Sequence, residues 1–118
     1  MLSNFKIYVI NLKRETNRRE NIIKELKKQK IQDFEIIDAI DGKEIKKNEL
    51  DLLISKNNKF INPINTNMNA PEICCSLSHV KVYKKFIETN IKYALIFEDD
   101  AVFLNNFSEE LKKFIIKN

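Results

Sequence analysis

An α/β layer structure with a mainly parallel sheet is the fold the sequence predicts. Two short runs, Phe5-Lys6-Ile7-Tyr8-Val9-Ile10-Asn11-Leu12 and Tyr93-Ala94-Leu95-Ile96-Phe97, are nearly continuous in apolar character and rich in β-branched and aromatic residues. That is the character of strands covered on both faces. Between and after them apolar residues recur at helical spacing, and strands alternating with helices call for parallel pairing.

The elements follow in order. Phe5 to Leu12 is the first strand. Asn17 followed by Glu20 has capping-box spacing, and Ile22, Ile23 and Leu26 form an apolar stripe, so a helix runs to about Lys30. Phe34 to Ile40 is the second strand, ended by a turn at Asp41-Gly42, the chain's only glycine. Glu44 to Ser55 carries Leu50, Leu53 and Ile54 at helical spacing, and the polar, Asn-rich stretch Lys56 to Asn69 with Pro63 reads as a loop. Pro71 at a first helical position opens a helix to about Thr89, with Ile73, Leu77, Val80 and Ile87 on one face and Val82 and Phe86 elsewhere, so it is expected to be buried on more than one side. The strand Tyr93 to Phe97 runs into Glu98-Asp99-Asp100, and Ser108 caps a last helix through Leu111, Phe114 and Ile115.

Composition bounds the class of protein. A chain of 118 residues, 43% apolar with eight Phe and three Tyr, is a single domain over residues 1–118 with enough apolar content to bury a core. No apolar run approaches the roughly 20 residues of a membrane-spanning helix. The N-terminus lacks a secretory signal, and Cys74 and Cys75 are adjacent and poorly placed to bridge each other, so reduced thiols and a cytoplasmic location are expected. The net charge of +4 comes from dispersed lysines and suits anionic substrates or peripheral contact with the cytoplasmic face of an inner membrane. Nucleic acid is not expected as a partner, because arginines are few and no aromatic-rich basic strand is present.

Three constellations carry chemistry. Glu98-Asp99-Asp100 places three carboxylates at the end of a buried strand, where they repel one another unless a cation intervenes. Ligands of open α/β sheets bind beyond strand carboxyl ends, and Mg²⁺ or Mn²⁺ chooses carboxylate oxygen. The plain alternative is a solvated acidic turn. Asn11-Leu12-Lys13-Arg14 with Arg18 and Arg19 gathers every arginine of the chain at the exit of the first strand, where guanidinium forks and a helix N-terminus suit phosphate. The alternative is surface charge on an amphipathic helix. A metal-bound diphosphate satisfies both clusters. In Cys74-Cys75-Ser76-Leu77-Ser78-His79, Cys75 and His79 at i, i+4 offer half a zinc site, with no second Cys or His pair to complete it. The bland role is packing and hydrogen bonding; His79 is also a candidate substrate contact.

Together, Tyr8-Val9-Ile10-Asn11-Leu12 with Arg18-Arg19, Asp38-Ala39-Ile40-Asp41-Gly42, Glu72-Ile73-Cys74-Cys75-Ser76-Leu77-Ser78-His79 and Ala94-Leu95-Ile96-Phe97-Glu98-Asp99-Asp100-Ala101 resemble glycosyltransferase family 25 in order and spacing. The resemblance implies a GT-A (Rossmann-like) nucleotide-sugar fold and a UDP-sugar donor, usually UDP-galactose. It implies a lipooligosaccharide or other glycan acceptor, and Mn²⁺ or Mg²⁺ held by Glu98, Asp99 and Asp100. Asn11, Arg14, Arg18 and His79 are the expected donor-binding residues. Pro71 and Cys74 stand where the family commonly shows glycine, and Tyr83 where it often has Trp. The match covers the N-terminal half of longer relatives, so an incomplete sheet and no acceptor-binding half are expected. Inverting transfer needs a general base, for which Asp38, Asp41 and His79 are the candidates. A non-catalytic nucleotide-sugar-binding or interaction module is the alternative.

Overall fold

A computed structural model describes residues 4–59 and 68–117; Pro63 and most of the expected loop around it lie outside them. The order is β1 (Phe5–Asn11), α1 (Thr16–Lys28), β2 (Glu35–Asp38), α2 (Lys47–Lys56), α3 (Ala70–Ile87), β3 (Tyr93–Glu98) and α4 (Phe107–Lys117). All pairing is parallel, as expected, in the order β2-β1-β3. The chain therefore leaves β1 for one neighbour and later returns to the other, which makes the carboxyl ends of β1 and β3 the sheet's switch point.

Strand alternation assigns the two faces. Ile7 and Val9 of β1 pack against Ile22 and Leu26 of α1, with Leu95, Phe97, Phe103 and Phe107 closing that layer. Tyr8 and Ile10 turn to the opposite face and meet Ile37, Val82 and Phe86. A third cluster joins Leu50 of α2 to Ile73, Cys74 and Leu77 of α3. So α3 is buried on two sides, as its sequence implies. Ile87, the last residue of α3, departs from expectation and is 71% exposed.

Several boundaries differ from the sequence reading, each for a hydrogen-bonding reason. Asn17 does not cap α1, which begins at Thr16 behind Glu15; the entrance is held instead by Asn11, whose amide donates to Glu15 O at 3.2 Å. Past the end of β2 at Asp38, Ala39 N–H still reaches Asn11 O, but Ile40 N–H leaves the ladder for the Ser78 hydroxyl. Residues 42–44 form a turn rather than the start of α2, held by Glu44 and Ile45 N–H donating to Asp41 O. Pro71 is the second residue of α3, and Asn69 supplies the cap by accepting from Glu72 N–H at 3.0 Å. Ser108 lies inside the first turn of α4; its hydroxyl donates to Gln29 O at 2.6 Å and its N–H to Gln29 Oε1 at 3.2 Å, which docks α4 on the end of α1.

Gly42 has no positive φ, so its turn does not need glycine for conformational freedom. It needs glycine for space. A Cβ there would stand 2.6 Å from Pro71 Cα and 2.9 Å from Pro71 N, both backbone atoms of the first turn of α3. Gly42→Ala is expected to cost about 1–3 kcal/mol of stability by forcing these segments apart. An unchanged urea midpoint would show that the turn yields freely.

Val102, Leu104 and Ile116 are each at least 78% exposed, and no further strand pairs with β2 or β3 among the described residues. No described helix is long and apolar enough to cross a membrane.

Candidate functional site

A cleft of about 300 Å³ opens at the carboxyl ends of the strands. Its basic wall comes from the exit of β1, with Arg14 and Arg18; its acidic wall comes from the exit of β3, with Glu98, Asp99 and Asp100. The segment after β2 contributes Ile40 to Lys43, and α3 closes the remaining side with Pro71, Cys75 and Ser78. The parallel register brings the two charged walls together: Ile10, one residue before the end of β1, lies beside Glu98.

The acidic triplet does not act as one group. β3 ends at Glu98 and the chain turns, Ala101 N–H donating to Glu98 O, so successive side chains diverge. Asp99 is buried and faces β1: Oδ2 accepts from the Asn11 amide at 2.8 Å, and Oδ1 lies 3.6 Å from Arg18 Nη1. Glu98 faces α3, accepting from the Cys75 thiol at 3.4 Å with His79 Nε2 at 3.6 Å. Asp100 is exposed and lines the cleft.

Asn11 joins the walls. It is 1% exposed and sits between the cleft-lining residues Ile10 and Leu12. Both of its amide contacts, Asp99 Oδ2 and Glu15 O, are acceptors, so the amide nitrogen must face them. Its Oδ1 is left buried without a hydrogen-bond partner. Buried acceptors are seldom left so, and Asn11 itself does not line the cleft.

Arg14 is paired in a fork with Asp41, Nε to Oδ2 at 2.5 Å and Nη2 to Oδ1 at 3.4 Å, and also reaches Glu15 at 3.2 Å. The guanidinium hydrogen bond, followed by the Lys43 N–H, holds the Asp41 carboxyl below the usual carboxylate range, and Asp41 in turn raises Arg14. A depressed folded-state value means that the pair's contribution is present above the ordinary carboxylate pKa and is lost as pH falls through the lowered one. Carboxyl NMR titration is expected to show Asp41 protonating at lower pH in the native chain than in Arg14→Gln. Equal midpoints would show that the fork does not form in solution.

The other candidates separate. Asp38 lies outside the cleft, half-exposed and 3.8 Å from Lys13. Arg19 is exposed and does not line the cleft. His79 stands beside the cleft through Glu98 and tilts against Tyr83, ring centroids 6.2 Å apart. Both cysteines are free thiols. Cys74, where the resemblance leads one to expect glycine, is buried in the α2–α3 contact. Cys75 and Ser78 belong to the cleft wall, which sequence spacing alone did not show, since it places residues on α3 but not α3 against β3.

Comparison with known proteins accords with this architecture. The family described as Glycosyltransferase family 25 (LPS biosynthesis protein) matches residues 4–118. Human procollagen galactosyltransferase 2 is 33% identical over 112 residues, covering 93% of this chain and 18% of its own length. A Haemophilus influenzae protein bearing a provisional glycosyltransferase name is 35% identical over 109 residues, covering 89% of this chain and 36% of its own. The mouse inactive glycosyltransferase 25 family member 3 is 26% identical over 115 residues, 93% of this chain and 19% of its own length. This chain thus spans 18% to 36% of the length of these relatives. Because the match runs from β1 through α4 and takes in both charged walls of the cleft, the chain belongs to glycosyltransferase family 25.

Proposed function

We propose that this chain is the nucleotide-sugar-binding part of a glycosyltransferase, that its donor is UDP-galactose, and that a lipooligosaccharide or other glycan accepts the sugar. The observation that carries the reading is the cleft at the switch point, with arginines on one wall and carboxylates on the other. Arg18 and Arg14 face the diphosphate and neutralise charge as it develops on the leaving group. Asn11, buried and outside the cleft lining, supports the nucleotide site from behind by holding Asp99 Oδ2. Of the triplet, Asp100, exposed at the cleft, fits a hard divalent cation, Mn²⁺ or Mg²⁺, better than Asp99, whose two oxygens are engaged by Asn11 and Arg18, or Glu98, whose Oε1 faces Cys75 and His79. Such an ion supplies further charge neutralisation at the diphosphate.

Transfer moves the acceptor hydroxyl oxygen onto the sugar's anomeric carbon, breaks the bond to the diphosphate oxygen, and sends the hydroxyl proton to a base. No such base is assembled among the candidates. Asp41 is held in the Arg14 fork, Asp38 lies outside the cleft, and His79 faces Glu98. The chain is therefore expected to bind donor while transferring little by itself. A non-catalytic sugar-nucleotide module is the second reading, favoured by the presence of an inactive mouse relative in the same family.

Calorimetry on the 118-residue chain tests the proposal. UDP binding is expected to strengthen with Mn²⁺, and Asp100→Ala to remove that gain. Arg14→Ala is expected to weaken UDP about tenfold or more, the worth of one charge-assisted hydrogen bond. Metal-independent UDP binding in both proteins would sink the cation assignment, and an unchanged dissociation constant in Arg14→Ala would return that arginine to surface charge.

A further inference from the structure

We infer that Cys75, His79 and Glu98 form a three-ligand site for a borderline-soft divalent cation of the Zn²⁺ class. Cys75 and His79 stand one turn apart on α3 and so project from the same face. The ligand that their spacing lacks is supplied by β3, whose last residue, Glu98, lies against that face. The Cys75 sulfur is 3.4 Å from Glu98 Oε1, and His79 Nε2 is 3.6 Å from the same oxygen. All three donor atoms lie within 4.8 Å of one another, and no other group of three or more such residues does so among the described residues.

These spacings suit a metal. Bonds of about 2.0–2.3 Å to sulfur, nitrogen and oxygen at tetrahedral angles place the ligand atoms roughly 3.4–3.6 Å apart. The two measured edges already have that length. A mixed thiolate, imidazole and carboxylate set selects Zn²⁺ or Co²⁺ and disfavours Mg²⁺, which takes oxygen alone. The frame is rigid where it matters. Ser78, next to His79, accepts from Ile40 N–H at 2.9 Å and donates to Cys74 O at 2.7 Å, which ties this turn of α3 to the segment after β2. Three protein ligands leave a fourth position, and because Cys75 and Glu98 both line the cleft, that position is open toward it.

This assignment does not rest on the nucleotide reading, so its test uses metal alone. The reduced 118-residue chain is titrated with Co²⁺, without nucleotide, and followed by absorption. Expected are a thiolate-to-cobalt charge-transfer band and the intense visible bands of four-coordinate cobalt, both displaced by Zn²⁺. Cys75→Ser is expected to abolish the charge-transfer band, while Cys74→Ser, which alters a buried thiol outside the site, retains it. His79→Gln and Glu98→Gln are expected to weaken Zn²⁺ by at least about tenfold, with circular dichroism showing that each variant is folded. Should Cys75→Ser fail to fold, the His79 and Glu98 variants decide the matter. A cobalt spectrum without a thiolate band, a band that survives Cys75→Ser, or Zn²⁺ affinity unchanged in both other variants would overturn the assignment.

Discussion

Asn11→Asp is expected to destabilise the chain by roughly 3–5 kcal/mol at neutral pH, although the two side chains have the same shape. The substitution exchanges the amide nitrogen that donates to Asp99 at 2.8 Å for a second carboxylate oxygen, at a position only 1% exposed. Two carboxylates so close cannot both ionise cheaply, and a single shared proton restores the hydrogen bond. The introduced carboxyl therefore has a folded-state pKa above its unfolded value of about 3.9. Its folding penalty is absent below that value and grows as pH rises toward the folded-state pKa. Urea midpoints of variant and native chain are expected to lie close together near pH 4 and far apart near pH 8. A difference that does not vary with pH would show that Asp99 does not face position 11 as a carboxylate.

Leu26→Ala is expected to cost about 2–5 kcal/mol, a large share of the 5–15 kcal/mol that holds a typical domain together. Leu26 is fully buried where α1 meets Ile7 and Val9 of β1. Removing its branched end leaves a cavity between two rigid elements that cannot collapse together. Ile116→Ala on α4, where the side chain is 84% exposed, is expected to change stability by less than about 0.5 kcal/mol. Comparable losses in the two variants would mean that α1 does not pack on the sheet as described.

Much of this architecture is legible in the residues. The unbroken apolar character of Tyr8 to Ile10 marks a strand covered on both faces, and the structure buries Tyr8 and Val9 on opposite faces. The stripe of Ile22 and Leu26 marks the inner side of α1 in the same way. Caps were less legible. Asn17 and Ser108 have the right chemistry for helix starts, yet Asn11 and Gln29, distant or outside the local pattern, hold those ends. Local capping signals cannot report a partner supplied by another element.

The candidate site divides along the same line. That arginines follow β1 and carboxylates follow β3 is a matter of order along the chain, and parallel pairing alone suffices to bring them to one edge. Which way each carboxylate turns was decided by tertiary structure. Asp99 is drawn inward by Asn11 and Arg18, Glu98 is drawn to Cys75 and His79, and Arg14 is taken up by Asp41. Which chemical groups meet at the strand ends is readable from the chain, because hydrophobic pattern and strand direction fix the edge at which they emerge. Which group pairs with which depends on the packing, because hydrogen bonds and ion pairs act over a few ångströms and follow from how α3 and α1 lie across the sheet.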